Sequence, residues 1–157
     1  MKNYVLIKLS EDYAKEICSW RYEGEYSIYN FSDWKTVVEN PWDLAIEEKR
    51  ESEFMAIIST NELVAYGRIS LKGDIAYIGI GLKPLFCGKG YGKDIMNLLI
   101  KECKRRFPNN TIGLEVRSFN KRAINCYRNV GFKVKEKYVK KTFDNSIDEF
   151  YYMEYNS

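Results

Sequence analysis

The residues of this chain best suited to chemistry are Cys87-Gly88-Lys89-Gly90-Tyr91-Gly92-Lys93, with glycine at every second position from 88 to 92. Ile95, Met96, Leu98, Leu99 and Cys103 follow at helical spacing, so the loop should feed a helix. Glycines allow positive φ and close backbone approach, and first-turn N–H groups lack intrahelical partners. Together with the helix dipole they form an anion site, most often for phosphate, to which Lys89 and Lys93 add charge. The same residues would also serve as a plain strand-to-helix turn. A P-loop is excluded, because Asp94 follows Gly92-Lys93 and Cys87 replaces the first glycine. The dinucleotide fingerprint is excluded too, because Gly88-x-Gly90-x-Gly92 is one residue too short. With no histidine and no CxxC among four cysteines, neither a zinc site nor a Ser-His or Cys-His nucleophile pair is expected.

A second stretch, residues 114 to 132 (LEVRSFNKRAINCYRNVGF), carries Val116, Asn120, Ala123, Tyr127, Gly131 and Phe132 in a strand-then-helix order. Together the two stretches resemble the GNAT superfamily of acyl-CoA-dependent N-acetyltransferases, over roughly residues 75 to 135 in detail. Gly90 and Gly92 match that family's Arg/Gln-x-x-Gly-x-Gly/Ala loop; Cys87 stands in the Arg/Gln place, which keeps the backbone donors but removes a side-chain contact.

The resemblance implies acetyl-CoA as cosubstrate, with no metal. Its pyrophosphate would sit on the backbone N–H groups around Cys87, Gly88, Lys89, Gly90, Tyr91, Gly92 and Lys93, and its acetyl and pantetheine parts on backbone atoms of Ile80 and Leu82. Asn120 would bond the pantetheine arm or cap its helix, and Lys121 and Arg122 would meet nucleotide phosphates or solvent. Tyr127 would donate to the departing thiolate, its alternative being a half-buried core tyrosine. Tyr77 occupies the place where many relatives carry a glutamate base, and a phenol titrating near pH 10 is a poor one. Glu115 on the neighbouring strand is the substitute. The aromatic, acidic segment from Trp20 to Trp34, with Glu23 and Glu25, would cover the acceptor side and suit an amine, or else pack on the sheet.

The elements that must position these groups follow from pattern. Strands are expected over about 2–9, 54–58, 63–71, 75–82, 111–116, 132–143 and 147–155. Helices are expected from Ser10 to Trp20, from Ser32-Asp33 to Asn40-Pro41, after the glycine loop to Arg106, and over 120–129 with Gly131 closing it. Turns are expected at Asn61-Glu62, at Lys72-Gly73-Asp74 and at Asp144-Asn145-Ser146, while residues 42–51 read equally as a helical turn or a polar loop. The fold class is α/β: one domain over 1–157, with a mixed, mostly antiparallel sheet of about seven strands and about four helices. The resemblance adds a central parallel strand pair that splays to admit the pantetheine arm, with Gly79 and Gly81 suited to a bulge.

Composition agrees: 45% hydrophobic and 30% charged residues suit a globular domain rather than a disordered chain. A net charge of +3 is too small to imply nucleic acid, and Lys101–Arg106 reads as a solvated helix end. No leader or membrane-spanning run is visible, so a cytoplasmic location with reduced thiols is expected. The expected partner is an amine-bearing small molecule or peptide N-terminus, and the edge strands of the C-terminal hairpin offer a homodimer surface. The competing function is a non-catalytic acyl-CoA-binding sensor, which would bind acetyl-CoA yet release no thiol with any amine.

Overall fold

The computed structural model describes residues 3–40, 42–142 and 144–156. Among them are seven strands: β1 (Val5–Lys8), β2 (Phe54–Ser59), β3 (Glu62–Lys72), β4 (Ile75–Leu82), β5 (Thr111–Arg117), β6 (Phe132–Lys141) and β7 (Ile147–Tyr155). They pair in the order β1-β2-β3-β4-β5-β7-β6, with β4 and β5 parallel. The helices are α1 (Glu11–Ser19), α2 (Trp34–Glu39), α3 (Glu47–Glu53), α4 (Tyr91–Arg106) and α5 (Lys121–Val130), with 3-10 turns at Gly24–Tyr29, Asp43–Ala45 and Pro84–Phe86. The mixed α/β class is as expected, but the described residues hold five α-helices rather than four. The addition, α3, lies partly in the segment whose sequence left helix and loop open. Pro41, expected to end α2, and Phe143, expected to end β6, lie outside the described residues.

Local chemistry sets the boundaries. The Ser10 side chain accepts from the Tyr13 N–H at 3.1 Å, and Asp33 accepts from Thr36 at 2.9 Å, so both helices begin at side-chain caps. Thr60 and Asn61 turn the β2–β3 hairpin with φ of 51° and 62°, one residue earlier than expected.

The chain falls into two compact units: the chain up to Arg68 with Ile80–Lys89, and Ile69–Gly79 with the chain from Gly90 onward. In the first, β1, β2 and β3 form an antiparallel ladder. A core of Leu9, Ala14, Ile17, Trp20, Val37, Leu44, Phe54 and Ala56 packs with Phe31, Trp42 and Tyr66. Tyr66 is its aromatic hub, with ring centroids 6.1 Å from Trp20, 6.3 Å from Phe31 and 6.3 Å from Phe54. Burial pushes its phenol up to about 12, so it stays neutral at physiological pH.

Beside this core Arg68 reaches Glu53 at 2.6 Å and Asp43 at 2.5 Å, joining β3 to the ends of α3 and the preceding 3-10 turn. Burial alone would raise the Glu53 carboxyl; hydrogen bonds and charge from Arg68 and Lys49 bring it below its ordinary 4.5. A carboxyl lowered in the folded state stabilises above its unfolded pKa, and that contribution fades as pH falls through the folded value. Arg68→Met should therefore cost about 2 kcal/mol at pH 7, discounted from the buried-pair range for partial exposure. The cost should shrink below about pH 4.5, as read by urea melts across pH. A constant cost at pH 3 and pH 7 would show that packing alone is involved.

In the second unit β4 pairs with β5 through Ile75↔Thr111, Ala76↔Ile112 and Tyr77↔Gly113. This register covers only the first part of β4, in keeping with a parallel pair that opens. β7 lies between β5 and β6, antiparallel to both. The core collects Ile95, Met96, Leu99, Ile100 and Cys103 of α4 with Ala76, Ile112, Leu114, Val116, Ile124 and Met153. At the C-terminal end of α4, Arg105 and Arg106 pair with Glu102 at 2.7 Å and 3.0 Å, which uses part of the basic run within the helix itself.

Candidate active site

The loop after β4 is built as the glycines require. Pro84–Phe86 makes a 3-10 turn that the Cys87 N–H closes on the Pro84 carbonyl at 3.2 Å. Gly88 and Gly90 follow with φ of 72° and 84°. Gly90 is the left-handed N-cap of α4 and supplies no side-chain cap, so the first-turn N–H groups receive nothing from that position. A Cβ at Gly88 or Gly90 would meet nothing within 4 Å, so conformation rather than space selects glycine there. Lys89 and Lys93 are exposed beside this helix start. The arrangement is a backbone anion cradle with exposed positive charge at its rim.

In the first unit Ile80 and Leu82 are partly buried near the end of β4. The Cys87 sulfur lies 3.9 Å from the Leu82 carbonyl oxygen and 3.8 Å from that of Lys83, folded back on the strand that precedes its loop. An ideal Cβ built on Gly81 would come within 2.2 Å of the Tyr66 ring, so the phenol lies directly on the β4 backbone between Ile80 and Leu82. The Tyr22 hydroxyl donates to the Leu82 carbonyl at 2.5 Å. Sequence reasoning missed both contacts. Tyr22 is one aromatic of several in the Trp20–Trp34 segment, and Tyr66 lies within the expected strand 63–71 with nothing local to single it out.

In the second unit Asn120 caps α5, its Oδ1 accepting from the Ala123 N–H at 3.2 Å, which is one of its two expected roles. Gly131 ends that helix with φ of 117°, in the left-handed conformation expected of it. Tyr127 is half-buried on α5 with its ring edge-on to Phe132 at 6.2 Å. Lys93 acts electrostatically on Cys126, but burial dominates and holds that thiol above its usual range. Glu115 is exposed on β5 and accepts from the Tyr138 hydroxyl and the Lys140 ammonium. Burial first, then the bond to Glu115, raises the Tyr138 phenol. Tyr77 meets Tyr152 at 6.0 Å between ring centroids, with the Lys72 ammonium 5.4 Å from its ring. No cluster of metal-ligating side chains occurs among the described residues. No helix among them is long and apolar enough to cross a membrane.

The helix between the parallel strands β4 and β5 of this mixed sheet thus opens at a glycine loop. The family model described as Acetyltransferase (GNAT) family matches residues 11–132, and the chain belongs to that family. Among solved structures, the ribosomal-protein-S18-alanine N-acetyltransferase of Escherichia coli is similar at 20% identity and TM-score 0.67, covering 98% of this chain and 93% of that one. A chimera of the Vibrio cholerae spermidine N-acetyltransferase SpeG and hSSAT gives TM-score 0.78 at 17% identity, covering 97% and 94%. A GNAT-family acetyltransferase from Bacillus anthracis gives 0.74 at 15% identity, covering 98% and 97%. At these identities the likeness is one of fold. No curated protein matches the chain.

Proposed function

We propose that the protein, with residues 1–157 acting as one catalytic domain, transfers the acetyl group of acetyl-CoA directly to a primary amine. The acceptor is a small molecule or a peptide N-terminus. The observation that carries this reading is the N-terminus of α4, which two positive-φ glycines open and no N-cap side chain closes, in a chain of this family. The backbone N–H groups from Gly88 to Lys93 take the pyrophosphate. Backbone groups of Ile80 and Leu82 take the acetyl and pantetheine parts, and Asn120 bonds the arm beside its capping role.

The amine nitrogen attacks the thioester carbon, the C–S bond breaks, and its electron pair goes to sulfur. Tyr127 supplies the hydrogen bond or proton that this sulfur needs. Glu115 takes the proton that the amine loses, with Tyr138 and Lys140 fixing its orientation on β5. Holding the two substrates together supplies much of the acceleration. Two solved structures of similar fold are those of a spermidine N-acetyltransferase chimera and a ribosomal-protein-alanine N-acetyltransferase, which makes spermidine and an alanine-initiated peptide the first acceptors to try.

Calorimetric titration with acetyl-CoA and with coenzyme A tests the cosubstrate site. Micromolar binding of both is expected; no detectable heat with either would overturn the assignment and mark the Cys87 replacement as disabling. Thiol release on adding amines then separates an enzyme from a sensor.

A further inference from the structure

We propose that Tyr66 is a further catalytic residue, whose hydroxyl donates a hydrogen bond to the thioester carbonyl oxygen as the attacking amine turns it into an oxyanion. This rests on the reading of Ile80 and Leu82 as backbone contacts of the acetyl and pantetheine parts.

Strand register sets the placement. The Lys83 N–H bonds the Val64 carbonyl at 2.9 Å, and two residues further along each strand of the β3–β4 hairpin Tyr66 stands opposite Gly81. Backbone groups of Gly81 and Lys83 therefore face β3, and alternation turns those of Ile80 and Leu82 to the other edge, where an extended chain can pair. The β5 register ends at Tyr77↔Gly113, short of Ile80. The distal end of the Tyr66 ring covers Gly81, with Cζ 2.5 Å and the hydroxyl oxygen 2.8 Å from a Cβ built there. The phenol thus overlies β4 rather than its own strand, and the missing side chain of Gly81 admits it. Trp20, Phe31 and Phe54 hold the ring in that position.

Burial and the charges of Cys18 and Arg68 act on the phenol, and no hydrogen bond from a described residue does. Trp20, its neighbour at 6.1 Å between ring centroids, is 5% exposed, and its indole N–H finds no acceptor among the described residues. Aromatic donors packed this deeply ordinarily have one. Two such donors in contacting rings, one of them over the strand that holds the acetyl group, suit an oxygen carried by a ligand. With its phenol pushed up to about 12, Tyr66 keeps its proton and serves as a donor rather than a base. As the amine nitrogen bonds the thioester carbon, the C=O π pair moves to oxygen and the bond from Tyr66 strengthens, with no proton transferred. When the C=O bond re-forms, the C–S pair leaves with sulfur.

The test uses the full chain and Tyr66→Phe, which keeps the ring and its packing. Loss of one oxyanion donor predicts kcat lower by about a hundredfold with an amine that the wild-type protein acetylates. Acetyl-CoA affinity by calorimetry should stay within about threefold, the scale of a weak ground-state hydrogen bond. A second readout needs no acceptor: the infrared band of an isotope-labelled acetyl carbonyl should lie at lower frequency in acetyl-CoA bound to wild-type protein than to Tyr66→Phe. Coincident bands or an unchanged kcat would overturn the assignment. So would the pattern of a merely structural tyrosine, a lower Tm and weaker binding with kcat retained. If no amine is acetylated, the carbonyl band alone decides. Wild-type protein that binds no acetyl-CoA would remove the cosubstrate reading itself, a failure distinguishable from the others.

Discussion

Replacing Tyr127 by phenylalanine is expected to lower kcat by about a hundredfold or more, the scale of a lost general acid, while acetyl-CoA affinity stays within about twofold. The separation follows from where the residue sits. Its ring is packed edge-on to Phe132, a core residue only 1% exposed, and phenylalanine keeps that packing. What is lost is the hydroxyl, whose proposed task begins only when charge develops on the leaving sulfur. An interaction made in the transition state alone appears in kcat and in kcat/KM together, not in ground-state binding. Thiol release with an amine that the wild-type protein acetylates, alongside calorimetry with acetyl-CoA, reads both quantities. Equal losses in turnover and affinity would reduce Tyr127 to a binding or packing residue.

Gly81→Ala is expected to destabilise the fold by about 2–3 kcal/mol, the cost of forcing a group into a filled site. For a chain of this size that corresponds to a Tm lower by roughly 5–10 °C. The new methyl would lie 2.2 Å from Tyr66 Cε1, 2.5 Å from Cζ and 2.8 Å from the hydroxyl oxygen. The ring cannot simply retreat, since Trp20, Phe31 and Phe54 surround it. Either β4 shifts or the aromatic cluster does. Thermal denaturation of Gly81→Ala, of Tyr66→Leu and of the double variant forms the cycle. A double variant more stable than the sum of the two losses locates the conflict at this contact. An unchanged Tm in Gly81→Ala would mean that the ring has a second position available.

The parts of the fold that were legible in the sequence are those decided by short-range rules. β4 ends as its proline required and the glycine loop opens α4. Ser10, Asp33 and Asn120 cap the helices that follow them, and Gly131 takes the left-handed position after α5. The helix α3 was not legible, because its support is not apolar periodicity but polar contacts, one of them from a distant strand. Arg50 is buried at 7% exposure and donates to the Leu44 carbonyl at 3.1 Å. Arg68, from β3, holds Glu53 at the other end of the helix. In the sequence these residues are only a polar run without apolar periodicity. The site divides in the same way: the anion cradle could be read from glycine spacing, whereas the partners of Glu115 come from a strand more than twenty residues away.

Capping, turn conformation and periodicity act over a few residues, so the sequence carries the order of the seven strands and of the helices other than α3, the glycine-opened helix and the two linked motifs of this family. The tertiary structure alone decided that β7 inserts between β5 and β6, which sets Glu115 against Tyr138 and Lys140. It alone laid Tyr66 across Gly81 and brought the Tyr22 hydroxyl to a carbonyl sixty residues away. These contacts arise from how apolar faces are buried and how backbone donors find acceptors across the fold, and spacing along the chain carries little of that information.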